Sequence, residues 1–176
     1  MTDWLSPSEI EAVLLSLKVA FWATILSLPF GIGVGFVLAR FEFPGKQVLN
    51  GLVHLPLILP PVVTGFILLK LFGTQGPIGG VLKDVGLVIA FSWTGAALAA
   101  AIMAFPLMVR AIRLSFEAVD RRLEDTARSL GASPWAVFAM ISLPLALPGV
   151  VTGSILAFAK AIGEFGATIT FVSNIP

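Results

Sequence analysis

The chain has 176 residues, of which 57% are hydrophobic and 12% charged, with a net charge of +1 and a mean hydropathy of +1.00. Soluble domains carry about 25% charged residues, so this composition excludes a water-soluble globule. Cysteine is absent and His54 is the sole histidine, which excludes disulfides and thiolate chemistry and removes most general acid–base and metal-ligand options.

The fold class expected is an all-α integral membrane protein, a polytopic helical bundle forming one domain over residues 1–176. Before the first apolar run stand Asp3, Glu9 and Glu11 without a basic cluster, so that run reads as a retained span, not a cleaved signal peptide. Crossing a hydrocarbon core takes about 20 apolar residues, and four stretches qualify. They run from Val19 to Ala39, from Gln47 to Leu69, from Val85 to Val109 and from Ile141 to Gly163. Proline and glycine interrupt them at Pro29, Gly31, Gly33, Gly35, Pro56, Pro60, Pro61 and Pro106. Membrane helices tolerate such breaks where neighbours satisfy the freed backbone, and small residues also allow close packing.

The connections set the orientation. Arg40 and Lys46 lie between the first two spans, and Arg110, Arg113, Arg121, Arg122 and Arg128 between the last two. The opposite side holds Lys70 and Lys83 between spans two and three. Seven basic residues against two place both basic loops in the cytoplasm and the N-terminus outside.

The polar stretch over residues 110–140 carries the most information. Phe116, Val119, Leu123, Ala127 and Leu130 recur at spacings of three and four, the signature of one helical face, while Glu117, Asp120, Arg121, Glu124, Asp125 and Arg128 fill the other. Gly131 ends that helix, and Ser133-Pro134 reads as an N-cap followed by proline at the first helical position. A polar helix, a corner and a second helix between two spans ask for a water-soluble partner. An amphipathic helix lying on lipid would carry a cationic excess, whereas acids outnumber arginines between Glu117 and Arg128.

Ionisable groups at membrane depth are costly. Lys160 and Glu164 stand four apart, a spacing that lets them pair, and they either line a translocation path or anchor the helix at the interface. Lys18 can snorkel to the headgroups. His54, near a span end, reads as a hydrogen-bonded packing residue. A hydrolase would need paired carboxylates, a Ser–His pair or a metal triad at membrane depth, and the sequence offers none of these. After Glu164 only twelve uncharged residues follow, so at least one further span is expected beyond Pro176.

The pattern Asp125-Thr126-Ala127, three residues, Gly131, nine residues and Ile141-Ser142-Leu143-Pro144 resembles the "EAA" loop of importer-type ABC permeases. That loop reads Glu-Ala-Ala, three residues, Gly, nine residues, Ile-x-Leu-Pro. Asp125 replaces the glutamate, with Glu124 adjacent, and Thr126 replaces the first alanine. The resemblance covers the whole chain and is closest to the molybdate permeases, through FPGK (43–46), HLPLILPPVVTG (54–65), FPLMVRAIRL (105–114) and GEFGATITFVSNIP (163–176). Sulfate permeases share GEFG; the following ATITFVSNIP favours molybdate over sulfate, with tungstate beside it.

The resemblance implies a type I importer in a prokaryotic inner membrane: a homodimer of permease subunits, two cytoplasmic ABC ATPase subunits and an external molybdate-binding protein. It implies that Glu124, Asp125, Ala127, Gly131, Ala132, Ser133, Leu143 and Pro144 form the ATPase-coupling loop, with Lys160 and Glu164 as path candidates. The permease itself would carry no catalytic residue, cofactor or metal, would sit among lipids, and would have no business with nucleic acid.

Overall fold

The computed structural model describes residues 7–84, 86 and 91–164. Eight α-helices follow one another there: α1 (Pro7–Arg40), α2 (Lys46–Ile58), α3 (Pro61–Phe72), α4 (Pro77–Asp84), α5 (Trp93–Ala118), α6 (Arg121–Ser129), α7 (Pro134–Val137) and α8 (Leu143–Ile162). A π-helical turn, Phe138–Ser142, joins α7 to α8 without a break in the helical path. Three helices are long and apolar enough to cross a membrane, namely Glu9–Arg40, Trp93–Ala118 and Pro134–Ile162. A fourth span results if the bent pair α2–α3 counts as one.

The observed boundaries differ from the expected ones for identifiable reasons. The first helix begins at Pro7, well before Val19, with Pro7 opening it and Glu9 in its first turn. The expected start followed the charge on Lys18, but a helix needs backbone hydrogen bonds, not apolarity. Lys18 stays within α1 and sets its ammonium 4.1 Å from the centroid of Trp93 on α5, a cation–π contact. The second span is broken: α2 and α3 meet at 113°. Pro60 lacks an N–H and pushes the preceding residue out of the helical region, and Leu59 accordingly sits at φ −72°, ψ 141°. The third helix starts at Trp93, where the Ser92 hydroxyl accepts the Gly95 N–H; the expected start at Val85 lies outside the described residues.

Helix α5 is the axis of the bundle, flanked by α1 and α8, with α2 and α3 touching it from the side. Ala96, Ala97, Ala99, Ala100 and Ala104, with Met103, Met108, Val109, Ile112 and Phe116, are buried. Close approach comes from glycine pairs one turn apart. A Cβ on Gly31 would stand 2.6 Å from the Met108 sulfur, and one on Gly35 2.9 Å from Ile112 Cγ2. From α8, a Cβ on Gly153 would come within 2.9 Å of the Met108 carbonyl, and one on Gly149 would strike Ser115. Two small-xxx-small faces thus grip the same stretch of α5 from opposite elements. Gly33, the middle member of Gly31-x-Gly33-x-Gly35, faces open space. By contrast, large apolar side chains such as Leu26, Phe30, Ile58 and Ile155 are exposed on the outside, as a lipid-facing surface requires.

Candidate functional site

The polar segment between α5 and α8 is held at one end of the bundle by three kinds of contact. The first is aromatic. Phe36 of α1 packs edge-on against Phe116 of α5 and Phe138 of the π-turn, with centroids 5.2 and 4.8 Å away. Trp135 adds an edge contact to Phe138 at 6.4 Å.

The second is the path of the backbone. Helix α5 ends at Ala118 and a new helix starts at Arg121, so the single amphipathic helix expected through Phe116–Leu130 is two helices with a corner between them. Asp120 accounts for the break: its carboxylate accepts the Arg122 N–H at 2.9 Å and caps α6. At the other end Gly131 takes φ +89°. Its N–H bonds the Arg128 carbonyl at 2.9 Å, and the Ala132 N–H reaches back to Ala127 at 3.0 Å. That pattern closes a helix through a left-handed residue and suits glycine. Ser133 then caps α7, its hydroxyl accepting the Ala136 N–H at 3.3 Å, with Pro134 in the first position. The signals read at Gly131, Ser133 and Pro134 operate, while the Asp120 cap had not been read as one.

The third contact is ionic and was not legible. Glu124, placed on the polar face of the expected helix, is 3% exposed. One of its oxygens accepts from Arg40 through both Nη2 (2.8 Å) and Nε (3.0 Å), and from the Ser142 hydroxyl at 2.7 Å. Arg40 Nη2 also donates to the Val119 carbonyl at 3.0 Å, at the break between α5 and α6. Arg121 returns a bond to the Ala39 carbonyl at 3.3 Å. Arg40 and Ser142 lie 84 and 18 residues from Glu124 in sequence, so no local spacing could announce either. Removing one partner of a buried charged pair typically costs about 3–5 kcal/mol, because the other charge is left stranded in low dielectric.

The remaining residues singled out in the sequence fall into distinct places. Asp125 is exposed and bonds Arg128 at 3.2 Å. Ala127 and Ala132 are half-buried, Gly131 and Ser133 exposed. Leu143 packs against the main core while Pro144 stands exposed in the first turn of α8. Leu123 and Leu130, on the apolar face of the expected helix, are 49% and 84% exposed. Trp135 and Met140 are also exposed, at 80% and 78%. The corner therefore presents apolar side chains on a charged frame.

Lys160 and Glu164 do form an ion pair, at 2.7 Å, with the carboxylate buried. They sit at the far end of α8, about 30 Å from the corner by the helical rise. His54 bonds the Asn50 carbonyl one turn back at 2.8 Å, a local packing role. Among the described residues no group of three His, Cys, Asp or Glu side chains could hold a metal ion. The stretch ATITFVSNIP lies outside the described residues.

Residues 28–175 match the family of binding-protein-dependent transport system inner membrane components. Two relatives are the molybdenum transport system permease proteins ModB of Escherichia coli (strain K12) and Haemophilus influenzae. The first is 60% identical over 98% of this chain and 76% of its own length. The second is 56% identical over 95% of this chain and 73% of its own. A crystal structure of an amino acid ABC transporter with histidines superposes with a TM-score of 0.61 at 21% identity, over 99% of this chain and 78% of that one. That likeness is one of fold, a helical bundle shared with a chain of that transporter. On these grounds the chain belongs to the family of inner membrane components of binding-protein-dependent transport systems.

Proposed function

We propose that this chain is the permease subunit of an ATP-driven molybdate importer, and that the α6–α7 corner is where a cytoplasmic ATPase docks. Two permease subunits, two ATPase subunits and an external molybdate-binding protein make up the assembly, in the inner membrane of a prokaryote. The N-terminus lies outside and the corner lies in the cytoplasm, a reading that the distribution of basic residues supports. The permease performs no chemistry: closure of the ATPase pair on ATP displaces the two corners, and the helices they continue into reorient the path.

The observation that carries the docking reading is the set of exposed apolar residues Leu130, Trp135 and Met140 on a corner whose backbone is fixed at both ends by caps. Exposed aromatic and apolar side chains within a polar rim mark interaction surfaces. Asp125, Ala127, Gly131, Ala132 and Ser133 shape that surface, and Leu143 and Pro144 begin the helix that carries its motion into the membrane. The molybdate reading rests on the likeness to the two molybdenum permeases.

The test is uptake by the complete permease expressed with its ATPase and binding protein, with excess sulfate as competitor. ATP-dependent molybdate uptake that persists under sulfate is expected. Uptake abolished by sulfate moves the chain to the sulfate branch, and tungstate competition separates the remaining oxyanion.

A further inference from the structure

Helix α6 has nine residues, and Glu124 is its one buried side chain among those described. A surface helix is ordinarily held to its bundle by an apolar stripe. Here the stripe is turned outward, with Leu123 exposed, and a carboxylate takes its place. That carboxylate is met by the last residue of α1 and by a hydroxyl from the turn that opens α8. The same guanidinium reaches the carbonyl of Val119, where α5 gives way to α6. Four elements therefore meet on two side chains. The turn that supplies Ser142 is π-helical, a local insertion often found where a helix serves a function.

From this convergence we propose that Arg40, Glu124 and Ser142 form a buried clamp that makes α6 move as one body with the ends of α1 and α8. They are positioning residues: they do not touch the ATPase but fix the direction in which its movement is passed on. An apolar anchor would hold α6 at least as firmly, since a buried ion pair is a poor source of stability for its desolvation cost. What the pair adds is directionality. Two guanidinium N–H groups and one hydroxyl converge on a single carboxylate oxygen, and such charge-assisted bonds fix orientation in a way that packed methyl groups do not. The inference deepens the docking reading and rests on it.

The experiment uses the full-length permease with its ATPase, reconstituted with the binding protein in proteoliposomes. Glu124→Gln removes the charge and keeps the shape. It is expected to copurify with the ATPase while molybdate uptake per ATP hydrolysed falls about tenfold, within the usual range of intersite coupling. Spin labels at Ser129→Cys on α6 and Leu147→Cys on α8, in a permease whose other cysteines are replaced (residues 1–176 hold none), should show a broadened distance distribution in the same variant. The double variant Arg40→Met/Glu124→Leu removes both charges together. It is expected to recover thermal stability without recovering coupling, which a merely structural role would not produce.

Wild-type uptake per ATP in Glu124→Gln with unchanged label distances overturns the clamp. So does full coupling in the apolar double variant, which also carries the test if Glu124→Gln does not fold. If the wild-type complex shows no ATP-driven oxyanion uptake, the transport reading fails instead. The label distances still decide the clamp in that case: broadening supports it, and no change overturns it.

Discussion

Gly131 allows the corner to be tested at one residue. It sits at φ +89° and a Cβ built there meets nothing within 4 Å, so a substitution meets no steric obstacle and acts through the backbone alone. A residue with a Cβ is disfavoured in the left-handed region by about 1–2 kcal/mol, with β-branched side chains at the upper end. One to two kcal/mol is a factor of about 5–30 in the occupancy of a conformation. Gly131→Val should therefore weaken binding of the ATPase to the reconstituted permease, and coupled uptake with it, by a factor in that range. Gly131→Asn is the control, because asparagine tolerates the left-handed region and should stay close to wild type. Titration of purified ATPase against both variants, with thermal unfolding in parallel, reads the effect. Equal behaviour of Val and Asn would refute the assignment of the corner's shape to this backbone angle. So would a Val defect that appears only as global unfolding.

Three further outcomes follow from the packing and the charges. Gly149→Val drives a side chain into Ser115 and the Ala111 carbonyl. Overpacking of about 1–3 kcal/mol should lower the unfolding temperature and the monodisperse yield, while Gly33→Ala, facing open space, should leave both unchanged. Lys18→Met removes the contact with Trp93 at 4.1 Å and should cost about 0.5–1 kcal/mol in chemical denaturation, a loss that Lys18→Arg largely restores. Glu42, in the loop after α1, has its carboxyl held below the usual glutamate range by the hydrogen bond and charge of Lys46. A depressed folded-state value means that its favourable interaction is present above the ordinary glutamate range and is lost as pH falls through the lowered value. Carboxyl titration by infrared spectroscopy should show that group moving up in Lys46→Met, and no movement would remove the pairing.

The features legible in the sequence were those with local causes. Apolar run length announced three long apolar helices and a bent pair, and Ser133-Pro134 and Gly131 announced the corner because capping and left-handed backbone are settled within a few residues. The break of the second span was only half legible. Pro60 and Pro61 were visible, but whether a proline kinks a helix or turns it by 113° depends on what the flanking segments pack against. The helix expected through Phe116–Leu130 failed because Asp120, read as one more polar residue on the solvent face, is a cap. Glu124 and Leu123 exchanged roles for a related reason. Once α6 is a separate helix, its orientation is set by Arg40 and Ser142 rather than by the periodicity inherited from α5. Long-range polar partners leave no periodic trace, and this is the part of the site that sequence reasoning missed. The glycine grip on α5 lies between these cases. Gly31-x-Gly33-x-Gly35 suggested small-residue packing, and the structure selects the pair one turn apart because only that spacing keeps both residues on one face.

The account stands on the corner being the surface that receives force from an ATPase. Its most direct test places photo-crosslinking residues singly at Leu130 and Trp135, 84% and 80% exposed, in the full-length permease expressed with its neighbouring ATPase in native membranes. The account predicts a strong crosslink to the ATPase from both positions, changing in yield when ATP is added, and none from Leu147 on the membrane-embedded part of α8. Crosslinks from Leu130 and Trp135 that reach only lipid or a second permease, whatever the nucleotide, would contradict it.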